Sequence, residues 1–227
     1  MMFPLTKERQ NIRLPTLLER KETKTMRNIN KLLSLAEKGN ALCIIGKGGV
    51  GKTRVLEALY VEGEKEYDGN VLLIHAPSRI RESYPSFIVK DREREKEMWD
   101  IIKSVESIDD YNGLIPSSKE IMGIIYTFIK NGVLKRDSLL IIDNLDALMD
   151  TYDLKSLLSL LELMKETKEV KIILSVSSII GVRAVDSFLS FVKFFEVKRE
   201  KDEEVEIEEK ESSEEVYSFF MSLMEDL

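Results

Sequence analysis

The chain has 227 residues, 43% of them hydrophobic and 33% charged, with 34 Lys and Arg against 41 Asp and Glu. That length suffices for one domain with a sizeable core, and 11 Gly, 5 Pro and a single cysteine exclude collagen-like, disulfide-framework and wholly disordered classes. Charge is uneven: residues 1–35 carry eight basic and three acidic side chains, residues 199–227 three basic and twelve acidic, so the basic arm either contacts phosphates or a neighbour's acidic tail, or forms a solvated helix face.

In chain order, Met26, Ile29, Leu32, Leu33 and Ala36 recur at helical spacing, and Gly39 stands where that helix stops. Ala41 to Ile45 reads as a short apolar strand, followed by a glycine-rich turn and a helix through about Glu62. Val71 to Ile74 is a second buried strand, entered from the turn Asp68 to Asn70. Pro77 to Pro116 is polar and irregular apart from a helix near Glu93 to Ser107, and Ser117 to Lys130 is a helix capped by serine with Glu120 three residues on. Leu139 to Ile142 is a third strand ending at Asp143, a helix spans about Leu154 to Lys165, and Val170 to Val176 is a fourth strand. A helix at about Val182 to Val192 leads to a fifth strand, Phe194 to Val197. The chain is then Glu-rich until Ser212, after which Val216, Phe219, Phe220, Leu223 and Leu227 form one apolar stripe that must pack on the core or on a partner.

This alternation predicts a three-layer α/β sandwich with a mostly parallel five-stranded sheet. It divides into a basic arm at 1–25, a main domain at 26–200, and an acidic segment with an amphipathic helix at 201–227. The longest uncharged stretch, Ile172 to Val182, is far short of the roughly 20 residues that cross a bilayer. Met1 to Gln10 holds Lys7, Glu8 and Arg9 without the apolar centre of a signal peptide. The expectation is a soluble cytoplasmic protein with no membrane partner. Gln10 is the only glutamine among abundant Glu and Lys, a composition that suits a thermophile.

Gly46-Lys47-Gly48-Gly49-Val50-Gly51-Lys52-Thr53 is a complete Walker A motif between an expected strand and an expected helix. Its glycines let the backbone wrap a phosphate with N–H groups inward, and the following helix adds its positive end. Lys52 is expected to reach the β- and γ-phosphates and Thr53 to complete a Mg²⁺ shell, and Arg54 is expected among the nucleotide-binding residues with Gly46 to Thr53. Leu139 to Asp143, four apolar residues ending in an acid, resembles Walker B, whose carboxylate holds magnesium through water.

The order of P-loop strand, extra strand, Walker B strand and a strand ending in small polar residues resembles the RecA/AAA+ division of P-loop ATPases, and within it the archaeal and STAND-type AAA+ ATPases. The resemblance rests on the P-loop, on Ile141 to Asp146 and on Val170 to Ser178, and covers about residues 26–200. It implies a sheet ordered 5-1-4-3-2 with ATP and Mg²⁺ at its carboxyl edge, Ser177 or Ser178 near the γ-phosphate, and a homo-oligomer acting on DNA or on a protein. Where many members carry Glu after the Walker B Asp, this chain has Asn144. Asp146 is then the candidate for positioning water, and hydrolysis is expected to be slow. His75, at the end of the second strand, is read either as a satisfied strand-end histidine or as a group facing the nucleotide. The helical lid of the family is missing from the pattern, and Arg183, Arg79 and Arg81 are candidates for an arginine finger or for surface ion pairs.

Three other readings are weighed. An ATP-held switch or assembly module would bind without turnover. Lys47 to Thr53 also matches the deviant Walker A of ParA/MinD-type partition ATPases, but His75 stands where those carry an aspartate and about 40 residues precede the motif. A small-molecule kinase would need an arginine-rich lid, for which Asp91 to Lys96 is a poor candidate because its signs alternate.

Overall fold

The computed structural model describes residues 24–67, 70–75, 86–88, 125, 128, 134–148, 154–167, 170–199 and 205–225. Seven strands form one sheet: β1 (Ala41–Ile45), β2 (Val71–His75), β3 (Ser86–Ile88), β4 (Ser138–Asp143), β5 (Val170–Val176), β6 (Val192–Arg199) and β7 (Val205–Lys210), ordered β3-β2-β4-β5-β1-β6-β7. The five inner strands are parallel throughout. Their order is the expected 5-1-4-3-2.

Helices cover both faces: α1 (Lys24–Glu37), α2 (Lys52–Glu66), α3 (Leu154–Glu166), α4 (Ile179–Phe188) and α5 (Ser213–Glu225). The inner strands are buried on both sides, which is why they read as unbroken apolar runs. On one face Ile29, Leu32, Leu33 and Ala36 of α1 and Val55, Leu56 and Leu59 of α2 pack on Leu42, Ile44, Leu73, Ile141 and Phe195. On the other, Leu157, Leu158 and Leu161 of α3 and Val182 and Val185 of α4 pack on Cys43, Ile45, Leu140, Ile142 and Leu174, joined by Ile125 and Phe128. Those last two residues are helical and fully buried, in the stretch expected as the Ser117–Lys130 helix. Among the described residues no helix is long and apolar enough to cross a membrane.

The sheet departs from expectation at its edges. Among the described residues it has seven strands rather than five, because antiparallel strands flank the parallel core on both sides. β3 lies inside the stretch read as irregular, and β7 inside the acidic segment set apart at 201–227. β7 is hard to see in sequence because its Glu side chains hide the alternation; Val205 and Ile207 turn to the α1 and α2 face, and Glu209 beyond them meets Lys31 of α1. α5 likewise packs on the core, burying Val216 and Phe220. After β6 the described chain therefore adds an edge strand and a core helix to the same body. α4 begins three residues earlier than expected because Ser178 caps it, accepting a hydrogen bond from the Gly181 N–H at 3.1 Å. The expected helix near 93–107, the Asp68–Gly69 turn, Arg79, Arg81 and the basic arm up to residue 23 lie outside the described residues.

Candidate functional site

The site lies at the carboxyl edge of β1, β4, β5 and β2, where a parallel sheet with helices on both faces leaves a crevice. β1 ends at Ile45, and the chain turns through Gly46 to Gly51 into α2. Gly46 has φ +151°, and a Cβ there would lie 2.9 Å from the Val197 carbonyl oxygen of β6, so the loop runs against the neighbouring strand where no side chain fits. Gly51, at φ +109°, caps α2 without a side-chain acceptor. The positive end of α2 is thus not neutralised by any capping side chain. Val50 is half-buried against the α1 and α2 core, while Lys47, Gly48, Gly49 and Arg54 are exposed.

Lys52 is buried, and its ammonium donates to the carbonyls of Gly46 at 2.7 Å and Lys47 at 3.0 Å. Those bonds wrap the loop around a fixed positive charge. Burial lowers the Lys52 pKa, while the charges of Asp146 and Asp143 act in the opposite sense.

Asp143, at the end of β4, is only 5% exposed yet makes three side-chain hydrogen bonds. Its Oδ2 accepts from the Thr53 hydroxyl at 2.8 Å and lies 3.0 Å from His75 Nδ1; its Oδ1 accepts from the Ser175 hydroxyl at 2.5 Å. Burial pushes its pKa up, but the bonds from His75, Ser175 and Thr53 outweigh that and leave it lowered. The Thr53 donation leaves the hydroxyl's lone pairs free to meet a cation, and the carboxylate is ionised. This donor set therefore fits a magnesium ion carried in with a nucleotide. Among the described residues no group of three or more His, Cys, Asp or Glu forms a metal cage, so phosphate oxygens and water would complete the shell, as magnesium prefers.

Asn144 follows in a left-handed turn, φ +60°, with its N–H on Ser175 Oγ at 2.8 Å. Asn tolerates that conformation better than Glu does, which gives a local reason for the missing acid. Asp146 lies on the following 3₁₀ turn, Leu145–Leu148. One of its oxygens accepts from the Ser177 N–H, the other from the Ser178 hydroxyl at 2.5 Å. Asp146, Ser177 and Ser178 are thus brought together as a clasp between the turn after β4 and the start of α4. Arg183 sits on α4 with its guanidinium 5.8 Å from the Tyr217 ring of α5. Cys43 is wholly buried in β1, where burial pushes its thiol pKa up.

Sequence reasoning named Lys52, Thr53, Asp143 and Asp146 and read His75 as a satisfied strand-end histidine or a group facing the nucleotide, but did not name Asp143 as its partner and missed Ser175. The only advance signal for them was position: His75 ends β2 and pairs in register with Asp143, and Ser175 is the one polar residue in the run Ile172 to Val176.

No protein-family model matches the sequence, and no curated protein does. Among solved structures the chain is similar to a chain of Drosophila ORC bound to DNA, with 20% identity and a TM-score of 0.43, covering 76% of this chain and 88% of that one. It is similar to a KaiC-like protein from the hyperthermophilic archaeon Pyrococcus horikoshii, with 16% identity, a TM-score of 0.42, and 77% and 81% of the two chains covered. It is also similar to the Aeropyrum pernix Orc1 protein in complex with DNA, with 18% identity and a TM-score of 0.45, over 75% of this chain but 44% of that one.

Proposed function

We propose that the chain is a Mg-ATP-binding P-loop ATPase with slow turnover. The observation that carries this reading is the Lys52 ammonium fixed inside the glycine loop, beside a bonded Thr53–Asp143 pair. Lys52 and the amides of Gly48 to Thr53 hold the phosphates, and Thr53 with Asp143 holds the metal, which offsets phosphate charge when bound. Asp146 positions the attacking water once its bonds to Ser177 and Ser178 are released, and Ser177 then faces the γ-phosphate. Turnover drives assembly or remodelling in a homo-oligomer on DNA, to which the basic residues Lys7, Arg9, Arg13, Arg20, Lys21 and Lys24 would contribute.

A second reading, an ATP-held switch, is favoured by one observation: both Asp146 oxygens are already bonded and Asn144 cannot replace them. ATP turnover by the purified protein, alone and with single- or double-stranded DNA, separates the two. Lys52→Ala should lower turnover at least about 100-fold, the scale expected when a group that stabilises developing charge is removed. Tight ATP binding without turnover under every condition would establish the switch instead. Unchanged turnover in Asp146→Ala would remove that residue from the reaction, and no DNA stimulation in the full chain would remove DNA as the partner.

A further inference from the structure

His75 is the only histidine in the chain, and its side chain ends on the carboxylate that the nucleotide reading assigns to the metal. Asp143 is ionised and can only accept, so the imidazole donates from Nδ1 to Oδ2 at 3.0 Å. Three donors from three separate elements thus reach one carboxylate: His75 from β2, Thr53 from α2 and Ser175 from β5. A carboxylate offers about four acceptor directions, so among the described residues one stays open, enough for a metal-bound water. Of the three donors, Thr53 has a second duty, because its hydroxyl oxygen must also turn to the cation. Ser175 fixes only Oδ1. Among the described residues His75 is therefore the one donor that holds Oδ2 in place whatever Thr53 does.

We propose that His75 is a positioning residue that holds Asp143 in its metal-ready orientation, an inference that rests on the Mg-nucleotide reading of this site. It acts through the carboxylate and touches neither nucleotide nor reacting atoms. Partners of this kind around a metal site typically contribute about 10- to 100-fold in metal affinity. The residue type supports the role. His75 stands in register opposite Asp143 on the adjacent parallel strand, so the imidazole reaches across a fixed inter-strand spacing.

The test is binding of a fluorescent ATP analogue to the full chain, titrated with Mg²⁺ from a metal-free start, without any turnover measurement. His75→Ala and His75→Leu should raise the Mg²⁺ half-saturation about tenfold while nucleotide binding in excess chelator is unchanged. His75→Asn places a side-chain N–H near the Nδ1 position and should restore the wild-type value to within about threefold of it. A histidine with a merely structural role would lower the melting temperature in all three variants and leave the Mg²⁺ midpoint unmoved. That result, or an Asn variant shifted as far as the Ala variant, would overturn the proposal. Lys52→Ala serves as the separate check: if it binds the analogue as tightly as wild type, the nucleotide reading fails, whatever the His75 variants do. The Leu variant, which keeps side-chain volume, covers the case in which Ala unfolds.

Discussion

Gly181 shows how tightly the Asp146 clasp is built. A Cβ at this position would lie 2.7 Å from Asp146 Oδ1 and 3.0 and 3.1 Å from two carbons of Val176. In an open helix, replacing glycine by alanine stabilises by about 1 kcal/mol. Here the carboxylate is tied to Ser177 and Ser178 and the valine is buried, so neither neighbour can yield. Gly181→Ala should therefore destabilise the protein by about 1–3 kcal/mol, the range for overpacking, read as a lower denaturant midpoint at unchanged slope. A gain in stability would show that the clasp is loose. The same residues mark what sequence could and could not convey. The glycine loop was legible as eight contiguous residues between a strand and a helix, and Asp143 because it ends an apolar strand. Ser175 and the partner of His75 were not: Ser175 and His75 lie 32 and 68 positions from Asp143, and only the strand register brings them to it.

At the scale of elements, the β6–β7 hairpin is held by charge as much as by its ladder. Lys198 pairs with Glu208, Lys193 with Glu209 at 2.6 Å, Lys210 with Glu196 at 2.7 Å, and Lys31 of α1 with Glu209 at 3.1 Å. Lys198 holds the Glu208 pKa below its usual range, and Lys193 does the same for Glu209. The Lys198 pKa is raised, chiefly by Glu208; that of Lys210 is raised because its bonds to Glu196 and Glu208 outweigh burial. Carboxylates with depressed folded values stabilise above their unfolded pKa of about 4.3 and lose that contribution as pH falls through the lower folded value. Lysines with raised values stabilise below about 10.4 and lose it as pH rises through the higher folded value. The melting temperature should fall at both ends, and Glu209→Gln should flatten part of the acid limb. Each exposed pair is worth only about 0.2–1 kcal/mol, so 0.5 M salt should erase most of the difference. An acid limb identical in Glu209→Gln would contradict the pairing. This hairpin was also where sequence reading lost the sheet, because an edge strand buries little and the periodicity of Val205 and Ile207 is drowned by glutamates.

Over the whole molecule, the inner strand order came from resemblance, since a run of buried strands carries no mark of its neighbours, while the alternation of strand and helix came from the residues themselves. The docking of α5 depended on contacts with α4, 27 and 31 positions away, which no local pattern encodes, whereas each outer strand pairs with the strand next to it in sequence. One consequence of the parallel core concerns motion. Asp143, Ser175 and His75 sit at the ends of three adjacent strands, with β4 and β5 inside the sheet, so the floor of the site has no hinge. Its amides at Ile142 and Leu174 should exchange with deuterium only when the entire chain unfolds, at the full cost of roughly 5–15 kcal/mol. Those of β7 should exchange sooner, through local opening of the edge. Equal rates in the two places would mean that the floor breathes. If the difference holds, the site will survive heating until the fold itself is lost, and any change that a bound ligand imposes must be expressed in what surrounds this floor.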